Sequence, residues 1–168
     1  MSDGSPGTRI RDAAPADVAL IFSLIRELAE YERAADRVSG NEELIAAALF
    51  GERPVAEAVI AEIDAGPVGF ALFFTTFSTW LCRPGLWLED LYVRPEHRGL
   101  GVGRALLAHV AGIAVERGYG RVEWSALHWN TPALRFYEGV GAARLDEWRV
   151  FRLDGETLAR AAHSIEMG

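Results

Sequence analysis

Leu86-Trp-Leu-Glu-Asp-Leu-Tyr-Val-Arg-Pro-Glu-His-Arg-Gly-Leu-Gly-Val-Gly-Arg104 is the stretch that decides the architecture. Its first half, Leu86 to Val93, reads as a buried strand. After a short turn, Arg98-Gly99-Leu100-Gly101-Val102-Gly103 runs straight into an amphipathic helix with the apolar stripe Val102, Leu106, Val110 and Ile113. A glycine-rich loop between a strand and a helix N-terminus suits a phosphate. Glycines let the backbone approach closely, and the first-turn N–H groups point at the anion with help from the helix dipole. Arg98 and Arg104 can add charge-assisted hydrogen bonds. Two familiar phosphate loops do not fit. A dinucleotide fold needs G-x-G-x-x-G, whereas these glycines are spaced G-x-G-x-G, with no supporting ribose-binding acid. A P-loop needs a lysine after its last glycine, and the chain contains no lysine.

At 168 residues the chain is expected to form a single domain over residues 9–168, after a disordered tail at residues 1–8. Hydrophobic residues make up 50% and charged residues 24%, as in a soluble globular domain. The single cysteine, Cys82, excludes an internal disulfide framework and fits a reducing compartment. No second metal ligand is spaced around it, and no metal is expected. The polar, glycine-rich start has no apolar core of a signal peptide, and no apolar run approaches the roughly 18–20 residues of a membrane helix. The expectation is a cytoplasmic protein with no membrane partner. The net charge of −7 argues against nucleic acid. It is compatible with a cationic substrate and equally with plain solubility.

The elements follow in an orderly series. Arg9 to Arg11 reads as a short strand. Pro15 opens a helix with the stripe Val18, Ile21, Phe22, Ile25, Leu28 and Ala29. Asn41 caps a second helix that Gly51 stops. Val55 to Asp64 and Val68 to Phe77 form a hairpin around Ala65-Gly66. Leu86 to Val93 is the next strand, and Arg121 to Ala126 another. Thr131 to Val140 is a short helix with Asn130 as its cap and Pro132 in its first turn. Glu147 to Leu153 reads as a last strand, and Leu158 to Ile165 as a closing helix. An α/β sandwich around one mixed sheet follows. Within Leu86–Val93, alternation puts Glu89 and Asp90 on opposite faces. Phe136 faces the core and the adjacent Tyr137 faces elsewhere, so the two are not buried equally.

Two motifs together resemble one family. Arg98-Gly-x-Gly-x-Gly103 after Glu89-Asp-Leu-Tyr-Val93, and Asn130-x-x-Ala-x-x-Phe-Tyr-x-x-x-Gly-Ala142, are similar to the GCN5-related N-acetyltransferase (GNAT) superfamily. Leu24-Ile-Arg-Glu-Leu-Ala-Glu-Tyr-Glu32, Phe50-Gly-Glu-Arg-Pro54 and Trp148-Arg-Val-Phe151 look like its branch of diamine (spermidine/spermine) and thialysine N-acetyltransferases. The resemblance runs from Ile10 to Ala161. It implies the α/β GNAT fold, a single domain with a central mixed, mostly antiparallel β-sheet flanked by helices on both faces.

The resemblance also implies roles. Acetyl-CoA would be the co-substrate. The backbone of Leu91, Tyr92 and Val93 would pair with its pantetheine arm. Arg98, Gly99, Leu100, Gly101, Val102, Gly103 and Arg104 would cradle the pyrophosphate, and Asn130, Thr131, Pro132 and Ala133 would line the cofactor further along. Tyr137 would protonate the departing thiolate, a fair match because phenol and thiol titrate at about 8.5–10. Glu89 would be the base, acting through water. A base is needed because an ammonium of pKa about 10.4 is free amine only about once in two or three thousand molecules at pH 7. Tyr31, Glu32, Glu89, Asp90, Glu123, Trp124, Ser125, Asp146 and Trp148 would receive a small cationic amine, since carboxylates and aromatic faces suit a cation. Read without the resemblance, Trp124, Trp129 and Trp148 fit a core or an interface, and Tyr137 a half-covered surface aromatic. Branch members are homodimers, so a homodimer is implied.

One departure narrows the acceptor. Polyamine-acetylating members carry an Asp in the loop after the third strand, where this chain has Ser78 within Thr75-Thr-Phe-Ser-Thr-Trp80. A thialysine-like amino acid or short diamine therefore fits better than a polyamine. Transfer to a protein or peptide amine, and a non-catalytic coenzyme A-binding module, are the rival readings.

Overall fold

Five strands lie in chain order in one sheet. β1 (Arg9–Asp12), β2 (Glu57–Ile63), β3 (Gly66–Ser78) and β4 (Arg83–Val93) pair antiparallel, and β5 (Val122–Glu123) joins β4 in parallel. The computed structural model describes residues 7–163. Of the expected tail, residues 1–6 lie outside that range, and Gly7 and Thr8 carry no regular structure. The β2–β3 hairpin turns at Gly66, whose φ of +118° is open to glycine and costly for other residues.

Helices cover both faces of this sheet. A 3-10 turn at Pro15–Asp17 leads into α1 (Val18–Tyr31), and Asn41 caps α2 (Glu42–Phe50) by accepting the Leu44 N–H at 2.9 Å. Ile21, Leu24 and Leu49 from these helices pack on Ala58, Ile60, Phe70, Leu72 and Tyr92. The alternate set of strand residues, Val59, Ala71, Phe73, Leu86 and Leu88, is buried on the opposite face. There α3 (Val102–Glu116) buries Val102, Leu106 and Val110. Each such apolar side chain contributes about 1.5–3 kcal/mol on burial.

The chain divides into two compact units, Met1–Ser125 and Ala126–Gly168. The first holds the whole sheet and α1 to α3. The second holds α4 (Thr131–Gly139) and α5 (Gly155–His163). As expected, the Asn130 side chain caps α4, accepting the Ala133 N–H at 3.3 Å. Phe136 and Tyr137, expected to differ in burial, are both half-buried, because their rings tilt against each other at 5.1 Å. Among the described residues no helix is long and apolar enough to cross a membrane.

Three expectations need correction. The expected strand Glu147 to Leu153 is absent: these residues carry no strand, and Trp148, Val150, Phe151 and Leu153 are 61%, 81%, 92% and 58% exposed. A strand needs an edge to pair with, and among its described residues the second unit supplies helices and no strand. The expected strand Arg121 to Ala126 shrinks to two residues, bonded to β4 only at Leu86–Val122 and Trp87–Glu123. The closing helix begins at Gly155 rather than Leu158, and its expected end at Ile165 lies outside the described residues.

A fourth correction is the informative one. Leu72 pairs with Asp90 and Phe73 with Leu88, so Glu89 is an extra residue inserted in β4, a β-bulge. The bulge breaks the alternation. Asp90 lies opposite Leu72, on the face covered by α1. Trp87 pairs with Phe74 on that same face, and its indole reaches the Glu89 carboxylate at 2.8 Å. Glu89 and Asp90 therefore serve one side of the sheet, not two.

Candidate active site

The loop ahead of α3 has the form an anion requires. Gly99 and Gly101 adopt φ of +77° and +84°, and no atom lies within 4 Å of where a Cβ would stand on either, so the loop faces open space. Gly101 precedes α3 without offering a side-chain cap, and the first helical bond runs from the Ala105 N–H to the Gly101 carbonyl at 3.0 Å. The first-turn N–H groups of Val102, Gly103 and Arg104 thus have no acceptor within the helix. They form, with the helix dipole, a seat for negative charge. Arg104 stands exposed beside it.

Arg98 is used differently from a free phosphate-binding cation. Its Nε donates to the Val93 carbonyl at 2.8 Å, and its guanidinium lies over the Tyr31 ring, 4.3 Å from the centroid. The Tyr92 ring is 5.6 Å away. Arg98 therefore fastens the glycine loop to the last residue of α1. Arg94 makes a parallel tie, gripping Glu27 of α1 through Nη2 at 2.9 Å and Nε at 3.1 Å, with Nη1 on the Pro67 carbonyl at 3.2 Å.

Among the described residues, no strand pairs with β4 beyond Trp87 on its β5 side. The edge from Leu88 to Val93, including the expected Leu91, Tyr92 and Val93, is open to an extended ligand that adds itself as a strand.

Three carboxylates gather where this edge meets the end of α1. Glu89 is exposed and accepts the Trp87 indole N–H. Asp90 is half-buried, and no donor among the described residues hydrogen-bonds it. Burial, then the negative charges of Glu89 and Glu32, push the Asp90 carboxyl up to about 7. Burial also raises Glu32, which follows α1. Glu32, Glu89 and Asp90 thus act on one another at the bulge, while Arg98 joins Tyr31 and Tyr92 beside the end of α1.

Other expected residues are placed apart or already engaged. Glu123 pairs with Arg121 at 2.7 Å, and Trp124 and Ser125 follow β5 without regular structure. Ser78 is 6% exposed and its hydroxyl accepts the Leu81 N–H at 3.2 Å, so it shapes the β3–β4 turn. The second unit carries Asn130, Thr131, Pro132 and Ala133 in the cap and first turn of α4, with Tyr137 two turns on. There Asp146 is held by Arg144 at 3.0 Å, and Trp148 is exposed. A surface groove of about 1110 Å³ lies elsewhere, lined by residues such as Phe50, Val55, His109 and Ile113, and holds none of the expected residues. Sequence reading passed over Trp87, Arg94 and Glu27. An indole two residues before a strand carboxylate was a usable signal for Trp87; nothing in the spacing joins Glu27 to Arg94.

Comparison with known proteins agrees with this geometry. The profile of the "Acetyltransferase (GNAT) family" matches residues 21–142. The chain is 39% identical over 164 residues to a thialysine N-epsilon-acetyltransferase of Bos taurus, covering 91% of this chain and 96% of that protein. It is 31% identical to an L-ornithine N5-acetyltransferase of Arabidopsis thaliana, covering 90% of this chain and 86% of that one. Among solved structures, an integron cassette protein of V. cholerae superposes with a TM-score of 0.76 at 26% identity, covering 92% of this chain and 97% of that one.

The unpaired Asp90 carboxylate has a consequence for stability. Its folded value near 7 stands above the ordinary 3.8. The ionised form is therefore penalised in the fold, and the penalty grows from about pH 4 to pH 7 and is complete above that. Asp90→Asn is expected to stabilise the protein at pH 8 by on the order of 2–4 kcal/mol and to leave it nearly unchanged at pH 4. Denaturant titrations at the two pH values check this.

Proposed function

Because the chain belongs to the acetyltransferase (GNAT) family, and so moves an acetyl group from acetyl-CoA to a small amine, we propose that its acceptor is an amino acid of the thialysine or ornithine kind, or a short diamine. What carries this reading is the joint presence of the helix-terminal anion seat, the open β4 edge and the carboxylates Glu32, Glu89 and Asp90 in a chain so similar to a thialysine N-epsilon-acetyltransferase. The turn-forming, buried Ser78 supports it further, since it offers no carboxylate to a second or third ammonium.

The first-turn N–H groups of α3, with Arg104, receive the pyrophosphate. The open edge from Leu91 to Val93 holds the pantetheine arm, with the Val93 carbonyl already engaged by Arg98. Asn130 to Ala133 line the cofactor further along. The acceptor's ammonium enters between Tyr31, Glu32 and the bulge, where negative charge and aromatic faces favour it. A carboxylate of the Glu89–Asp90 pair takes the ammonium proton. The amine nitrogen attacks the acetyl carbonyl carbon, the carbon–sulfur bond breaks, and the Tyr137 hydroxyl supplies the proton that leaves with the sulfur. The exposed Cys82 suits a reducing setting, and the cytoplasm is the proposed location. A homodimer covering the exposed Trp148 and Phe151 is the proposed assembly.

With acetyl-CoA and an amine panel, kcat/KM is expected to be highest for thialysine, lysine or ornithine, lower for putrescine and lowest for spermidine; a strong preference for spermidine overturns the acceptor assignment. Tyr137→Phe keeps the ring and removes the hydroxyl, so kcat is expected to fall by on the order of 10²–10⁴ with acetyl-CoA affinity little changed. Turnover within about twofold of the parent would remove Tyr137 from the chemistry. Sedimentation at micromolar concentration is expected to show a dimer.

A further inference from the structure

Two adjacent carboxylates stand at the β4 bulge where one base is needed. From the way each is held, we infer that Asp90, rather than Glu89, takes the proton from the acceptor's ammonium. The inference rests on the acetyl-transfer reading above and goes further in naming the proton acceptor.

The two side chains differ in what already occupies them. Glu89 is the inserted residue, exposed to water, and its carboxylate accepts the Trp87 indole N–H at 2.8 Å. That carboxylate is therefore already engaged by a donor of its own strand. Asp90 is the residue that returns to register, opposite Leu72 on the face that α1 covers. It is half-buried and has no donor among the described residues. The charges that act on it are Glu89 on its own strand and Glu32 after α1. Buried negative charge with no donor is satisfied by the arrival of an ammonium. It is also best matched for removing a proton near neutral pH, because a base works best when its own pKa lies near the operating pH.

The step balances simply. One N–H bond of the ammonium breaks and its proton passes to an Asp90 oxygen, leaving a neutral amine and a neutral carboxylic acid. The freed lone pair then forms the C–N bond as the C–S bond breaks. The sulfur takes the Tyr137 hydroxyl proton, the nitrogen gives up its second proton to water as the amide forms, and Tyr137 is reprotonated from water. After product leaves, Asp90 returns its proton to solvent. Glu89 and Glu32 act through Asp90 as positioning charges, since each keeps its proton affinity high.

The pH dependence of kcat/KM separates the two carboxylates, using the full-length protein and the best acceptor from the amine panel. The parent is expected to lose activity as pH falls through about 7, the value to which Asp90 is raised. Asp90→Asn is expected to abolish that limb and lower kcat by on the order of 10²-fold or more, while binding acetyl-CoA as the parent does. Glu89→Gln removes a neighbouring negative charge, so the limb should survive and move to lower pH. A lysine analogue fluorinated beside its Nζ, largely unprotonated at pH 7, should react with Asp90→Asn at a rate much closer to the parent's. If Asp90→Asn does not fold, the direction of the Glu89→Gln limb decides: a downward shift supports Asp90, and its disappearance overturns it. Persistence of the limb in Asp90→Asn likewise overturns the inference. Failure of the parent to acetylate any amine would instead overturn the acetyl-transfer reading itself.

Discussion

One inserted residue in β4 organises the chemistry of this protein. The β-bulge at Glu89 ends pairing with β5 at Trp87, frees the strand edge that follows, and turns two consecutive carboxylates toward the same face. Without the insertion, Asp90 would fall on the α3 face among Phe73 and Leu88, where an ion finds no water and no partner. A bulge is an inexpensive change to a sheet, since one ladder position is lost while the rest of the register is kept. Here it leaves a strand edge without a paired strand among the described residues and brings two carboxylates to one face.

Two arginines hold that edge against the rest of the molecule. Arg94 is bonded to Glu27 and to the Pro67 carbonyl, and Arg98 lies on Tyr31 while donating to Val93. Both guanidinium groups reach α1 from the segment between β4 and α3. The glycine loop and the carboxylates consequently share one frame: Tyr31 at the end of α1 lies under Arg98, and the charge of Glu32 just after it acts on Asp90. A planar group with several fixed donors suits such a tie better than an ammonium would.

Much of this was legible in the sequence, and the losses have definite causes. The helices of Val18–Tyr31 and Val102–Glu116 declared themselves by apolar period, and Asn41 and Asn130 by their capping chemistry. The glycine loop was readable because positive φ at Gly99 and Gly101 leaves few alternatives to glycine. The strict two-residue period of a strand misplaced Glu89 relative to Asp90, because a bulge leaves no mark in hydrophobicity. It also suggested a strand at Glu147 to Leu153, where the side chains suit a sheet but no neighbouring edge exists in that unit. Arg98 was read as a ligand contact by position, whereas its partners, the Val93 carbonyl and the Tyr31 ring, come from the tertiary fold.

All the ion pairs of the described residues that hold this frame (Arg11 with Asp17, Arg94 with Glu27, Arg117 with Glu57) use guanidinium as the cation, and no lysine occurs anywhere in the chain. A catalyst that activates amines toward an acetyl donor thus carries no side-chain amine that its own reaction, or free acetyl-CoA, could modify. Guanidinium keeps its proton at any physiological pH and is a poor nucleophile. The protein's guanidinium salt bridges cannot be erased by lysine acetylation.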